Sequence, residues 1–140
     1  MRLVITGAGP DGRSRVERVV DLERAGPGIA FSAAEVWAQP EVVAAFGDRP
    51  RSSSHRPVDC PPGAMSWRFV RHPPLGSFAI HRTDTVDFDV VMDGHVELGL
   101  EDGSIDLRTG DMVIIPGVAH AWRAGPDGCT VSAVLLGIQP

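Results

Sequence analysis

Apolar and polar side chains alternate in short runs between residues 64 and 138, and turn-forming residues separate the runs. A period of two is the pattern of a half-buried β-strand. Short strands spaced by Gly, Pro and Asp turns favour a sandwich or barrel over βαβ units. We therefore predict strands over 64–71, 77–83, 87–92, 95–100, 105–108, 112–115, 119–123 and 129–138.

The turns and faces of these strands can also be predicted. Asp-Gly pairs at 93–94 and 102–103 are expected to be hairpin turns, because Asp-Gly suits the tight turns that join antiparallel strands. In the first strand, Met65, Trp67 and Phe69 share one face, since side chains two residues apart point the same way. That apolar face is expected to point inward.

The first 63 residues predict a different organisation. Two runs rich in β-branched residues, 2–6 and 16–22, flank a Gly-rich stretch and predict a β-hairpin. Ser32 and Glu35 are spaced as a helix capping box, and Pro40 would break a continuous helix, so one or two short helices are expected. A long loop is expected over 47–63. The chain, 1–140, is predicted to form a single domain, with the core barrel over 64–138.

Composition and charge exclude several classes of partner. The chain has 13 basic and 18 acidic residues and a net charge of −5, whereas nucleic acids and anionic membranes attract clustered positive charge. No apolar run reaches the roughly 18 residues of a membrane span. The N-terminal apolar stretch is too short for a signal peptide. The two cysteines lack CxxC spacing, so a cytoplasmic protein with free thiols is expected.

The absence of two residue types narrows the chemistry. The sequence contains no Lys and no Tyr. Lysine Schiff-base chemistry and a tyrosine general acid are therefore excluded. Histidine remains as a side chain that can both take and give a proton near neutral pH.

Residues 76–94 resemble the first motif of the cupin superfamily, in which a Gly precedes His-x-His, then a Glu, then another Gly. His81 takes the first His position and Thr83 takes the second. Asp87 takes the Glu position, and Gly94 follows it by seven residues.

Residues 110–120 resemble the second cupin motif. Gly110 and Pro116 have the family spacing, and His120 takes the third His position. The segments 81–88 and 120–123 are similar to those of small bacterial and fungal single-cupin proteins. The resemblance implies an all-β cupin fold, a jelly-roll barrel or β-sandwich with a small-molecule site inside. Cupins host many unrelated functions, so the fold alone assigns no reaction.

The resemblance also implies a metal site with an altered ligand set. The full motif binds a divalent ion through three His and one Glu, and here Thr83 and Asp87 replace two of those ligands. His81, Asp87 and His120 remain, a set that can hold Fe(II) or Zn(II), with Mn and Ni as further alternatives. A metal-free pocket lined by the same residues is the competing interpretation.

Catalytic roles are predicted for His81, His120 and Asp87. On their strands His81 shares a face with Thr83, and His120 shares a face with Trp122. In a barrel these inward faces converge on one cavity. The predicted ligand-binding residues are Thr83, Trp67, Phe69, Trp122 and Arg82.

Each of these residues has a structural alternative. The two motif histidines can simply form hydrogen bonds inside the barrel, and the aromatic residues can be core. Asp87 can form an ion pair with Arg82 or Arg123. Asp89 is left facing either way. Surface, loop or turn positions are expected for Asp84, His55, His72 and His95.

The predicted function is an enzyme that acts on a small anionic metabolite by proton transfer, in a decarboxylation, dehydration or isomerisation. A non-catalytic small-ligand-binding cupin and an Fe(II)-dependent oxygenase are the alternatives. No nucleic-acid or membrane partner is expected. A homodimer is expected, because small cupins commonly use an N-terminal segment to extend a neighbour's sheet, which removes an exposed strand edge.

Overall fold

The computed structural model describes residues 2–21 and 60–139. The short helices and most of the loop predicted before residue 60 lie outside these residues. Over the described ranges the chain is all-β, as predicted, and no helix there is long and apolar enough to cross a membrane. The strands are β1 (Arg2–Ala8), β2 (Ser14–Asp21), β3 (Met65–His72), β4 (Ser77–His81), β5 (Thr85–Leu100), β6 (Gly103–Arg108), β7 (Met112–Pro116) and β8 (His120–Gly137).

Two long strands, β5 and β8, organise the fold. They pair with each other along most of their length, and register shifts near the middle of β5 divide each into two halves. One half of each strand belongs to a larger sheet of order β2-β1-β7-β5-β8-β3. The other halves carry β6 on β5 and β4 on β8. The two sheets enclose one hydrophobic core, which makes the fold a β-sandwich.

The pairing of β5 with β8 is irregular around Gly94, which is paired with Cys129 and lies against Gly128 of β8. Both glycines have a φ of 83°, which costs little only for glycine. A Cβ on Gly94 would overlap the carbonyl oxygen of Gly128, so the strands could not approach this closely with a side chain there. The hairpin turn predicted at 93–94 is therefore wrong. Asp-Gly also suits a β-bulge, and β5 continues through it.

The hairpins predicted over 2–22 and at 102–103 are confirmed. β1 pairs antiparallel with β2, and β5 pairs with β6 across a two-residue turn. β1 also pairs in parallel with β7, so this hairpin is joined to the larger sheet of its own chain. Asp111 anchors the junction by accepting hydrogen bonds from the guanidinium and backbone N–H of Arg2 and from the backbone N–H of Arg108.

The core contains the apolar side chains that face each other between the sheets. Val96, Leu98, Leu107 and Ile115 are fully buried. Burial of such a side chain stabilises a fold by about 1.5–3 kcal/mol. These residues lie mostly in the halves of the strands remote from the polar positions described below.

The inward face predicted for β3 is wrong. Met65, Trp67 and Phe69 are more than 60% exposed, whereas the alternate residues are half-buried and Val70 packs against the core. Trp67 donates its indole N–H to the hydroxyl of Ser132 on β8. The large apolar side chains of β3 lie on one face and Val70 is the one apolar residue of the other, so the rule that the apolar face points inward selected the wrong face. Pairing with β8 decides which face points inward.

Candidate functional site

A cavity of about 670 Å³ opens between β3, β4, β5 and β8. Every residue that takes a cupin-motif ligand position contributes to its wall, namely His81, Thr83, Asp87 and His120. Most of the remaining wall is apolar. The other lining residues are Arg68, Phe69, Val70, Arg71, His72, Phe78, Asp89, Trp122, Val131, Ala133 and Leu135.

His81 and His120 form a close imidazole pair. The antiparallel pairing of β4 with β8 places them opposite each other, and their ring centroids are 4.4 Å apart. His81 Nδ1 lies 3.0 Å from the carbonyl oxygen of Ala79, and His120 Nδ1 lies 2.9 Å from that of Val118. Because a carbonyl only accepts, each Nδ1 carries the proton. In a neutral ring, Nε2 then keeps a lone pair.

His120 is 2% exposed. Burial lowers its pKa, and the nearby charge of His81 lowers it further, while the hydrogen bond to Val118 acts in the opposite direction. Burial favours the uncharged ring because a charge loses its hydration there. His120 is therefore a neutral imidazole with a basic Nε2 at neutral pH.

The hydroxyl groups of Thr83 and Thr85 lie beside the carboxyl group of Asp87. Thr85 donates a hydrogen bond to Asp87 Oδ1, and its hydroxyl lies 2.9 Å from that of Thr83. Burial raises the pKa of Asp87, and the bond from Thr85 and the charges of Arg68 and His81 oppose that rise. The ion pairs considered for Asp87 are not the ones observed. Arg123 instead contacts Glu97 at 3.0 Å.

Asp89 is a site residue that the sequence left undecided. It follows Asp87 by two residues on β5, so both carboxyl groups face the cavity. Asp89 is 5% exposed, and its Oδ1 has no hydrogen-bond partner among the described residues. An unpaired buried polar group typically costs about 1–3 kcal/mol. Strand alternation from Asp87 was the signal that could have placed it.

His72 and Arg68 are further lining residues that the sequence did not identify. Both lie on the half-buried face of β3, whereas the sequence analysis chose the opposite, apolar face as the inner one. Neither residue was therefore predicted to line the site. His72 was expected at the surface, but its ring lies 6.1 Å from that of Trp122 and burial lowers its pKa. The signal was weak, because a His before Pro-Pro is typical of the end of a strand.

The predicted ligand-binding residues divide into two groups. Thr83, Phe69 and Trp122 line the cavity. Trp67 and Arg82 do not; Trp67 lies on the exposed face of β3, and Arg82 is an exposed residue between β4 and β5.

A three-ligand metal site does not form from these side chains as they lie. Among residues 2–21 and 60–139, no three His, Cys, Asp or Glu side chains are grouped to hold a metal ion. His81, Asp87 and His120 line one cavity, but Thr85 already engages one oxygen of Asp87. The residues present therefore do not fit the three-ligand site that the resemblance implies, and the chemistry below uses the side chains of this chain alone.

Two long strands shared between two sheets, and a cavity that receives the motif residues, define an all-β fold of the cupin class. Among solved structures, a protein of unknown function from Rhizobium leguminosarum is similar, with a TM-score of 0.50 and 18% identity, over 54% of this chain and 72% of that chain. A cupin-2 domain-containing protein from Shewanella frigidimarina has a TM-score of 0.45 at 25% identity, over 61% of this chain and 78% of its own.

Sequence comparison adds relatives that are named as biosynthesis cluster proteins. No family model matches the chain. Phomopsin biosynthesis cluster protein C' of Diaporthe leptostromiformis is 40% identical over 63 residues, 44% of this chain and 33% of that protein. Oryzines biosynthesis cluster protein J of Aspergillus oryzae is 41% identical over 71 residues, 50% of this chain and 39% of that protein. The matched segments thus span only a third or slightly more of these relatives.

Proposed function

We propose that this protein is a small-molecule enzyme that moves a proton on a carbonyl-bearing, anionic metabolite held in the cavity. The observation that carries the proposal is the close pair of His81 and His120 in the cavity wall, each with its Nδ1 fixed on a backbone carbonyl. A fixed Nδ1–H leaves Nε2 as the reactive nitrogen of each ring. The two ring centroids are 4.4 Å apart. Two such nitrogens can therefore remove a proton from one atom of a bound substrate and return a proton to another atom.

His120 is assigned the role of general base. Its ring is neutral because burial lowers its pKa, so its Nε2 can accept a proton from a carbon next to a carbonyl group. The electron pair of that C–H bond moves onto the carbonyl oxygen as an enolate forms. Where a double bond is conjugated with the enolate, return of the proton from the imidazole to a different carbon gives an isomerisation. Where a β-hydroxyl group is present, it takes a proton from an imidazole and leaves as water, and the electron pair of the enolate forms the new double bond.

His81 is assigned the second proton position. Its ring is close enough to His120 for both to contact one small substrate, and Asp87 lies in the same wall. Asp87 is held by Thr85, so it can stabilise positive charge on an imidazole without moving. Positioned proton transfer of this kind contributes about 10²–10⁴-fold to a rate.

Charge and shape favour a small anionic substrate with an apolar part. Arg68 and Arg71 line the cavity and supply positive charge, and Arg71 lies over the ring of Phe69 at 5.8 Å. Phe78 and Trp122 provide apolar wall. A cavity of about 670 Å³ is in the range of roughly 300–1,000 Å³ that is typical of small-molecule sites. The relatives in biosynthesis clusters support small-molecule metabolism as the setting.

Deuterium exchange into a panel of simple keto acids tests this proposal. The protein is incubated in D₂O with pyruvate, 2-oxoglutarate, oxaloacetate, acetoacetate and levulinate, and loss of the C–H signal beside each carbonyl is followed by ¹H NMR. We expect exchange above the buffer rate for at least one compound. His120→Ala should slow it by on the order of 100-fold, as loss of a general base does.

His95→Ala is the matched control. His95 contacts Asp106 at 3.0 Å on the β5–β6 hairpin, outside the cavity wall, so its replacement should leave exchange unchanged. Equal loss in both variants, or no exchange of any compound, would contradict the catalytic proposal. Saturable binding of these compounds without exchange would instead favour the alternative, a non-catalytic small-ligand-binding protein.

A further inference from the structure

Asp89 is a cavity residue whose hydrogen bonding within the described part of the chain is incomplete. It is 5% exposed and lines the cavity, yet its Oδ1 has no hydrogen-bond partner among the described residues. Asp87, on the same face of the same strand, accepts a hydrogen bond from Thr85. Folded proteins rarely leave a buried carboxyl oxygen unpaired, so an unpaired one in a cavity wall points to a partner that occupies the cavity.

The residues paired with Asp89 on the two adjacent strands do not supply that partner. Asp89 lies between β7 and β8, where its paired residues are Val113 and Ala133. Both side chains are apolar, and Ala133 is itself part of the cavity wall. The cavity, which Asp89 lines, is therefore the side from which a ligand can supply the missing hydrogen bond.

We propose that Asp89 is a specificity-determining residue, whose carboxyl group forms a hydrogen bond with a hydroxyl or amide group of the bound ligand. The proposal deepens the function proposed above and rests on it only in placing the ligand in the same cavity. It assigns the ligand two polar features, an anionic group and a neutral hydroxyl or amide group, joined by an apolar part.

The charge of the site orients such a ligand. Burial, and next the charge of Asp87, raise the pKa of Asp89 well above its usual value. A carboxyl group accepts hydrogen bonds in both its charged and its neutral form, and hydroxyl and amide groups can donate them. A ligand carboxylate is repelled by Asp87 and attracted to Arg71, at the exposed end of the wall.

Pairs of probes that differ only in a hydroxyl group test this proposal. 4-Hydroxybenzoate is compared with 4-methylbenzoate, and 4-hydroxybutanoate with pentanoate, by titration into ¹⁵N-labelled protein with dissociation constants taken from amide shifts. Each pair keeps the carboxylate and replaces a terminal OH by a CH₃ of similar size. We expect the hydroxyl member of at least one pair to bind on the order of 10-fold more tightly to the wild-type protein, as one well-formed buried hydrogen bond allows.

Two variants assign the preference to Asp89. Asp89→Leu should abolish or reverse it, because leucine of similar size cannot form a hydrogen bond. Asp89→Asn should keep most of it, because the amide also donates and accepts. A preference that is equal in the wild type and in Asp89→Leu would overturn the proposal. No preference in the wild type, or no binding of any probe, would overturn it as well.

If Asp89→Leu does not fold, the wild-type titrations still test the proposal. Absence of a hydroxyl preference in the wild-type protein refutes it without either variant. The experiment also separates the two proposals. A hydroxyl preference without deuterium exchange refutes the catalytic function and supports the role of Asp89. Deuterium exchange without any hydroxyl preference does the reverse.

Discussion

Buried and more exposed residues alternate in both halves of β5, but the buried residues of the two halves differ in chemical type. Before Gly94 the buried positions are odd-numbered and mostly polar: Thr85, Asp87, Asp89 and Val91. After Gly94 they are even-numbered and all apolar: Val96, Leu98 and Leu100. Register shifts on the two sides of Asp93–Gly94 change which positions face inward.

One half of β5 therefore contributes mainly to the stability of the fold, and the other half contributes side chains to the candidate site. The second half fills the core with well-packed apolar side chains, whose burial favours folding. The first half places two carboxyl groups in a cavity wall, where burial disfavours their charged forms. The polar half is thus tolerated because the apolar half stabilises the same strand.

The largest effect is expected in the apolar half. Leu98→Ala removes a fully buried side chain, and such replacements typically destabilise a fold by about 2–5 kcal/mol. Urea denaturation followed by circular dichroism measures the change. Ile80→Ala on β4 is the control, because Ile80 is more than half exposed and should change stability by no more than about 0.5 kcal/mol. Equal losses would mean that the core does not lie where described.

Replacement of a histidine in the cavity wall, beside the polar half of β5, should change activity and not stability. His81→Ala removes one member of the close imidazole pair and is expected to slow deuterium exchange by on the order of 100-fold. Asp84→Ala, which alters an exposed residue three positions away, should cost little. Melting curves of both variants should overlay that of the wild type. Near-full exchange by both motif-histidine variants would refute the assignment of roles.

The pH dependence of stability tests the burial of Asp89. Its folded-state pKa is raised above the unfolded value, so its contribution to stability is present below the unfolded pKa and is lost as pH rises through the folded pKa. Asp89→Asn stays neutral at every pH. The variant should therefore melt several degrees above the wild type at pH 8, and the difference should shrink toward pH 3.5. The control Asp102→Asn, in the exposed β5–β6 turn, should show no such trend.

We expect the protein to form dimers without a change in the structure of β5. We predict a homodimer that forms along β2, the edge strand of the larger sheet on the side of the N-terminal hairpin. Pairing across a two-fold axis would cover the unpaired backbone groups of that edge. Light scattering should give about twice the 14.9 kDa mass of one chain at micromolar concentration. A monomeric mass would contradict the prediction.

We expect added divalent metal ions to have no effect on the melting temperature. Because the described His, Asp, Glu and Cys side chains form no three-ligand group, added Fe(II), Zn(II), Mn(II) or Ni(II) should not raise the melting temperature of protein purified without an affinity tag. Specific binding would stabilise the fold by about 2.7 kcal/mol at a hundred times the dissociation constant. A rise of that size that disappears in His120→Ala would restore the metal site implied by the cupin resemblance.

The sequence located the site better than it located the faces of the strands. His81, Thr83, Asp87 and His120 could be found because spacing within each motif is local and survives any error in strand ends. Trp67 was misplaced, and His72 was missed, because both depend on which face of β3 points inward. Alternation defines two faces without saying which is which, and pairing with β8 makes the choice.

The sequence by itself determined the all-β class, the N-terminal hairpin and the set of motif residues, since alternation, turn chemistry and motif spacing are all short-range properties. Only the tertiary structure decided that Asp93–Gly94 is a bulge within one long strand and that Asp89 faces the cavity. The reason is that Gly94 must pass against Gly128, 34 residues away, and the identity of that neighbour is not encoded near Gly94. A local pattern fixes what a segment can do, and long-range packing selects which of those conformations it adopts.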